Sequence, residues 1–215
     1  MSADLLACPV NFEINCDWDR VRRIYNQLVE KKNQGYFDTE YEPSYFSNIH
    51  SINQYGAMIT DSSRLLEDHE CNSWVGSFLE YILPSNVKEL SSKMLDAKIN
   101  FKNFGYFIHH GEIRGHIDAV PEHTMNSLPF ENKSGRYCNL NYVISSTDPD
   151  AYTYVKDTKR DIEESYKSTV GKLFLLDVSS SHSVVNKGTR EVFQLKILSP
   201  YDQVKEFLIK NNMIV

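Results

Sequence analysis

The tetrapeptide Gly115-His116-Ile117-Asp118 carries the most specific chemistry in the chain. Residues two apart on a β-strand point to the same side, so a strand through this stretch presents an imidazole and a carboxylate together. Such a pair can share one metal ion. A second imidazole from elsewhere would complete a 2-His-1-carboxylate set with open coordination positions, the arrangement of non-haem Fe(II) oxygen chemistry. The pattern H-x-D alone matches often by chance. Its plain alternative is a strand-end histidine near a surface acid.

The candidate second imidazole is His182. An apolar run, Lys172–Val178, leads into Ser179-Ser180-Ser181, then His182, a short strand, the turn Asn186-Lys187-Gly188-Thr189 and Arg190. If that turn closes a hairpin, Arg190 falls nearly opposite Val184. It then shares a face with His182, roughly 7 Å along the strand at ~3.4 Å per residue. A guanidinium fork binds a carboxylate bidentately, so Arg190 could hold one end of a dicarboxylate whose other end chelates the metal. The alternative is a surface arginine on an edge strand. The other face of the same strand carries Phe193, Leu195 and Ile197, which are expected to pack under helices.

The remaining polar candidates are less specific. Arg136 is divided between binding a substrate or co-substrate carboxylate and a structural salt bridge. His109, His110 and His123 are expected at strand ends or a pocket rim, with His123 the better placed to meet a substrate. His110-x-Glu112 imitates a ligand pair but precedes a better one. Tyr137 and Tyr142 are expected as core or pocket wall.

These residues need strands to aim them. Phe104–His109, Ile113–Asp118, Tyr137–Ile144, Tyr152–Val155, Lys172–Val178, Ser183–Val185 and Glu191–Leu198 are short stretches rich in aromatic and β-branched residues, the composition of strands. The segment Asp157–Val170 between them is polar and is expected to carry a helical turn. The first half has helical spacing instead. Trp18, Val21, Ile24, Tyr25, Leu28 and Val29 recur at that period, with Asp17 as N-cap. Trp74, Phe78, Leu79 and Ile82 suggest a second helix, and a third starts at a Ser85 cap and passes Met94. Tyr36–Asn53, rich in Tyr, Ser and Asn without period, is expected as a packed loop. Pro200 precedes a closing helix, Asp202–Lys210. Helices first and short strands afterwards predict an α+β chain built around a β-sandwich or jelly roll.

Bulk composition narrows the class. The 215 residues suit a single domain: residues 1–100 mainly helical, 101–199 the β core and 200–215 the closing helix. Hydrophobic residues at 41% and charged residues at 24% are globular values, and a chain of this length buries a core without staples. A net charge of −6 with no concentrated basic face argues against nucleic acid as a main partner. Cys8, Cys16, Cys71 and Cys138 are scattered, with no C-x-x-C pair, which fits a reducing compartment and argues against a cysteine zinc site. No leader pattern precedes Asn15, and no apolar run approaches the ~20 residues that span a bilayer. A cytoplasmic location is the resulting expectation, and oligomeric state is unreadable.

His116-x-Asp118, His182-Ser183-Val184-Val185-Asn186 and Arg190 together resemble the Fe(II)/2-oxoglutarate oxygenase superfamily. The closer likeness is to its aspartyl/asparaginyl β-hydroxylase-like branch, which includes small proline hydroxylases. Gly111-Glu112-Ile113-Arg114 before the first histidine and Gly135-Arg136-Tyr137 opening the next strand belong to the same likeness. It covers about Phe104–Leu198. The helical half matches only through a strand-like Tyr55–Thr60. In that branch the strand after H-x-D often reads R-x-H, whereas here it is Arg136-Tyr137-Cys138. The gap between the histidines is also long, with Asp157–Val170 as the excess and a possible source of a lid or pocket wall.

The resemblance implies a double-stranded β-helix, cupin-like, with the N-terminal helices on one sheet. It implies Fe(II) on His116, Asp118 and His182, 2-oxoglutarate on Arg190 with Arg136 as a further contact, and O₂ as oxidant. The implied reaction is hydroxylation of an unactivated C–H bond with release of succinate and CO₂. Retention of Asp118 favours hydroxylation over halogenation. The implied substrate is an amino acid, an amino-acid derivative or a peptide side chain. A cupin-like metal protein without oxygenase activity, an isomerase or ligand sensor, needs the triad but not Arg190. A β-sandwich interaction module needs neither.

Overall fold

A computed structural model of the chain describes residues 5–33, 57–61, 83–117, 138–158 and 160–214. In chain order the elements are β1 (Ala7–Val10), α1 (Trp18–Asn33), β2 (Ala57–Asp61), α2 (Ser85–Asp96), β3 (Phe101–His110), β4 (Ile113–His116), β5 (Cys138–Ser146), β6 (Tyr152–Asp157), β7 (Ile162–Lys167), β8 (Leu173–Asp177), β9 (Ser181–Val185), β10 (Thr189–Ile197) and α3 (Tyr201–Lys210). The expected loop Tyr36–Asn53, the expected helix around Trp74–Ile82, and Asp118, His123, Arg136 and Tyr137 all lie outside the described residues.

The strands form two sheets, one in the order β1-β8-β5-β10-β3-β2 and one in the order β4-β9-β6-β7. Every pairing is antiparallel except β2 with β3. Four of the pairings, β3 with β10, β4 with β9, β5 with β8 and β6 with β7, are successive rungs of one long antiparallel ribbon whose closed end is the β6–β7 hairpin. The rungs alternate between the two sheets, so the ribbon is rolled. The added contacts β10 with β5 and β9 with β6 join its turns. The chain is thus α+β, mostly antiparallel sheet with few helices.

Binary pattern decides which face meets which layer. On β10, Phe193, Leu195 and Ile197 alternate to one side and join Val21 and Tyr25 of α1, Leu90 and Met94 of α2, and Val204 and Leu208 of α3 in one buried cluster. The helices therefore cover the outer face of the six-stranded sheet, where the expected packing under helices is found. The opposite face meets the four-stranded sheet through Leu176 and Val155, both buried, and through Tyr166 stacked on Phe174 at 4.6 Å between ring centroids. Where β10 runs beside β5, the register skips Ile144, so that Val192 meets Val143 while Glu191 meets Ser145. Such a bulge re-aims the residues before it, and Arg190 lies just before it.

Asp17 caps α1 as expected, accepting from the Arg20 amide at 2.9 Å. Three expectations are corrected. Where Asp157–Val170 was expected to carry a helical turn, Ile162–Lys167 is a strand paired with β6. Its inward face of Ile162, Glu164 and Tyr166 was hidden from the polarity count because Glu164 is inward for a reason of its own: its carboxylate accepts the Leu6 and Ala7 amides at 3.0 and 3.2 Å. β2 overlaps the strand-like Tyr55–Thr60 stretch, and β1 adds a short strand that was not expected. Ser85 is the first helical residue, preceded by Pro84, and no side chain caps that end. The 186–189 segment closes no hairpin, because β9 and β10 belong to different sheets.

Candidate metal and carboxylate site

Sheet register brings His116 and His182 together. They are direct partners in the β4–β9 pairing, with ring centroids 4.3 Å apart and planes tilted by 53°. His182 is buried and His116 is exposed at the open end of β4. Each ring donates its Nδ1–H to a carbonyl two residues back in its own strand, His116 to Arg114 at 2.8 Å and His182 to Ser180 at 3.0 Å. In a neutral imidazole that bond leaves the lone pair on Nε2, the tautomer a metal ligand needs. The two histidines therefore fit a first-row metal.

Asp118 lies two positions beyond His116, outside the described residues. Among the described residues no group of three His, Cys, Asp or Glu side chains converges as a metal site.

Arg190 reaches the same interior from the facing sheet. It is 5% exposed, lies between His109 of β3 and Ser146 of β5 in register, and so cannot stand opposite Val184 within one hairpin. Its side chain crosses between the sheets instead. One guanidinium nitrogen donates to Ser168 Oγ at 2.7 Å and to Thr153 Oγ1 at 3.4 Å. Thr153 pairs with Val184, and Val155 pairs with His182. The Arg190 head group thus sits two residues along β6 from the level of His182, roughly 7 Å at ~3.4 Å per residue.

The electrostatics of Arg190 are unusual. Both described partners are neutral hydroxyls, and among the described residues Nε has no hydrogen-bond partner and no carboxylate pairs with the head group. Burial accordingly pushes its guanidinium below the usual arginine value, with the Tyr166 phenol nearby opposing the shift. Burial raises that phenol, against the pull of Thr153, Arg190 and Asn141 beside it. Asn141 in turn accepts from Gln194 Nε2 at 2.7 Å. A buried cation without a countercharge is costly to keep, and among the described residues none is supplied to this one.

Thr153, Ser168 and Tyr166 were not anticipated from the sequence. Ser168 lies in the polar stretch that gave no strand signal, and no motif marks the other two. His109 is half-buried beside Arg190 in register, and His110 is exposed with Nδ1 at 3.2 Å from Thr189 Oγ1. Tyr142 belongs to the helix-side core, stacked on Trp18 at 5.9 Å.

No family model matches the sequence, and no curated protein matches it. Among solved structures it is similar to EvdMO1, at 13% identity over 51% of this chain with a TM-score of 0.35, and the chain spans 30% of that protein. A prolyl-4-hydroxylase from Pseudomonas putida is similar at 11% identity over 86% of this chain and 83% of that one, with a TM-score of 0.36. AviO1 from Streptomyces viridochromogenes Tue57 is similar at 11% identity over 85% and 84%, with a TM-score of 0.42. Likeness at this level carries no argument about chemistry.

Proposed function

We propose that the chain is an Fe(II)- and 2-oxoglutarate-dependent dioxygenase built on a double-stranded β-helix. In this reading it hydroxylates an unactivated C–H bond of an amino acid, an amino-acid derivative or a peptide side chain. The rolled ribbon of β3 to β10, split between two facing sheets, supports the fold reading. The observation that carries the function is Arg190: a buried guanidinium with no carboxylate partner among the described residues, in the same interior as a register-paired histidine couple.

His116 and His182 would hold the iron through Nε2, with Asp118 as the carboxylate ligand. Arg190, supported by Ser168 and Thr153, would receive the far carboxylate of 2-oxoglutarate, forming the charge-assisted pair that its burial lacks. Arg136 is the proposed further contact. A five-carbon dicarboxylate suits the span from the Arg190 head group to the histidines. Val155 at the level of His182 and Val184 at the level of Thr153 are buried and apolar. When bound, the iron supplies activation of O₂ coupled to decarboxylation of 2-oxoglutarate.

The direct test is turnover of 2-oxoglutarate to succinate by the purified protein under air with Fe(II). We expect turnover that needs the metal and disappears in His182→Ala. Metal binding by the wild type without any turnover, even across a panel of amino acids and peptides, would instead favour a cupin-like protein lacking oxygenase activity.

A further inference from the structure

We propose that Asn186 is a positioning residue that sets the distance between the histidine pair and Arg190, an inference that rests on the function proposed above. The histidines lie in one sheet and Arg190 in the other, so nothing in the β4–β9 pairing fixes the arginine. The chain crosses from β9 to β10 through residues 186–188, between His182 and Arg190. Asn186 is 1% exposed at the start of that crossing.

Its side chain brackets two crossovers at once. Nδ2 donates to the Gly188 carbonyl at 2.8 Å and to the Gly111 carbonyl at 3.3 Å, while Oδ1 accepts from the Gly188 amide at 3.2 Å. Gly111, at φ +74°, turns the chain from β3 into β4, the strand of His116, and its amide donates to Gly188 at 2.9 Å. One amide side chain therefore ties the turn that launches the first histidine to the link between the second histidine and the arginine.

A third crossover, between β5 and β6, clamps the same link from outside. Thr147 Oγ1 accepts the Thr189 amide at 2.8 Å, and Asp148 accepts the Lys187 amide at 2.7 Å. A Cβ on Gly188 would run into Thr147 Oγ1, so the three segments meet without spare room. An asparagine fits this place because it donates and accepts at once; alanine would remove the bonds to the Gly111 carbonyl and to both polar groups of Gly188.

The consequence is selective. Register between β4 and β9 maintains the two histidines, whereas the crossing maintains their separation from Arg190. Loss of Asn186 should therefore weaken dicarboxylate binding and spare metal binding.

The test is anaerobic calorimetry of Fe(II) into the protein, and then of 2-oxoglutarate into the Fe(II)-loaded protein, for wild type, Asn186→Ala and Thr147→Ala. We expect Fe(II) affinity within about twofold of wild type in both variants. The 2-oxoglutarate affinity should fall about tenfold in Asn186→Ala, the scale of one to two lost hydrogen bonds, and less, in the same direction, in Thr147→Ala. If Asn186→Ala does not fold, Thr147→Ala decides alone by the same split. Equal losses of both affinities, or no loss of either, would overturn the proposal. A wild type that binds Fe(II) but no 2-oxoglutarate would overturn the functional reading beneath it, a result that the variants cannot mimic.

Discussion

Arg190 concentrates the chemical argument in one side chain. A guanidinium kept for structure would be expected on a carboxylate; among the described residues this one donates to the hydroxyls of Thr153 and Ser168. Those two hydroxyls lie 3.5 Å apart and can partner each other without it. Arg190→Met should therefore leave the ligand-free protein within about 1 kcal/mol of wild type, or more stable, since replacing buried charge by an apolar side chain of similar size is often neutral or favourable. Chemical denaturation checks this, and a loss of several kcal/mol would mark Arg190 as a structural residue. The sequence singled out the arginine by its spacing from His182, but through a hairpin that does not form, since β9 and β10 lie in different sheets. Its partners were not singled out, because Ser168 and Thr153 meet it only through the closure of two sheets.

The crossovers show how short elements place the site. The 186–189 turn was expected to be a hairpin because its composition suits one, yet its ends join different sheets. Turn-forming residues specify a change of direction, not the sheet that the chain enters next. Asp148 anchors this crossing through the Lys187 and Asp150 amides, which hold its carboxyl below the usual aspartate value. A carboxylate with a depressed folded-state value contributes stability above its unfolded value, near 3.9, and that contribution is lost as pH falls through the folded value. The wild type should lose stability between about pH 7 and about pH 3, and Asp148→Asn should lose less over the same interval. Denaturant midpoints at both pH values measure the difference; identical acid dependence would mean that the anchor has no thermodynamic weight.

Among the described residues, two sheets and a covering layer of helices make the body of the molecule, and Glu164 straps the sheets' edges. Glu164 of β7 accepts two amides from the start of the β1 region, joining the edge of the four-stranded sheet to the edge of the six-stranded one. Glu164→Ala should cost about 1–3 kcal/mol, the range for bonds to a charged group. It should also speed hydrogen exchange at the Leu6 and Ala7 amides, and unchanged protection there would remove the strap from the account. Strand composition made the β core readable, since Phe104–His109, Tyr137–Ile144 and Glu191–Leu198 each overlap an observed strand. The N-terminal Ala7–Val10 was too short to show a period. Ile162–Lys167 was hidden by two acids, Glu164 bonding across to the other sheet and Glu163 pairing with Lys156 of β6.

Everything functional turns on the two histidines and the arginine serving one ligand pair. Addition of Fe(II) and then 2-oxoglutarate to the protein without oxygen, followed by visible absorbance, tests this directly. The account predicts a weak charge-transfer band that needs both additions, is absent in His116→Ala, and is lost or greatly weakened in Arg190→Met. A band of equal strength in Arg190→Met would remove the arginine from co-substrate binding, and no band in the wild type would contradict the proposed function itself.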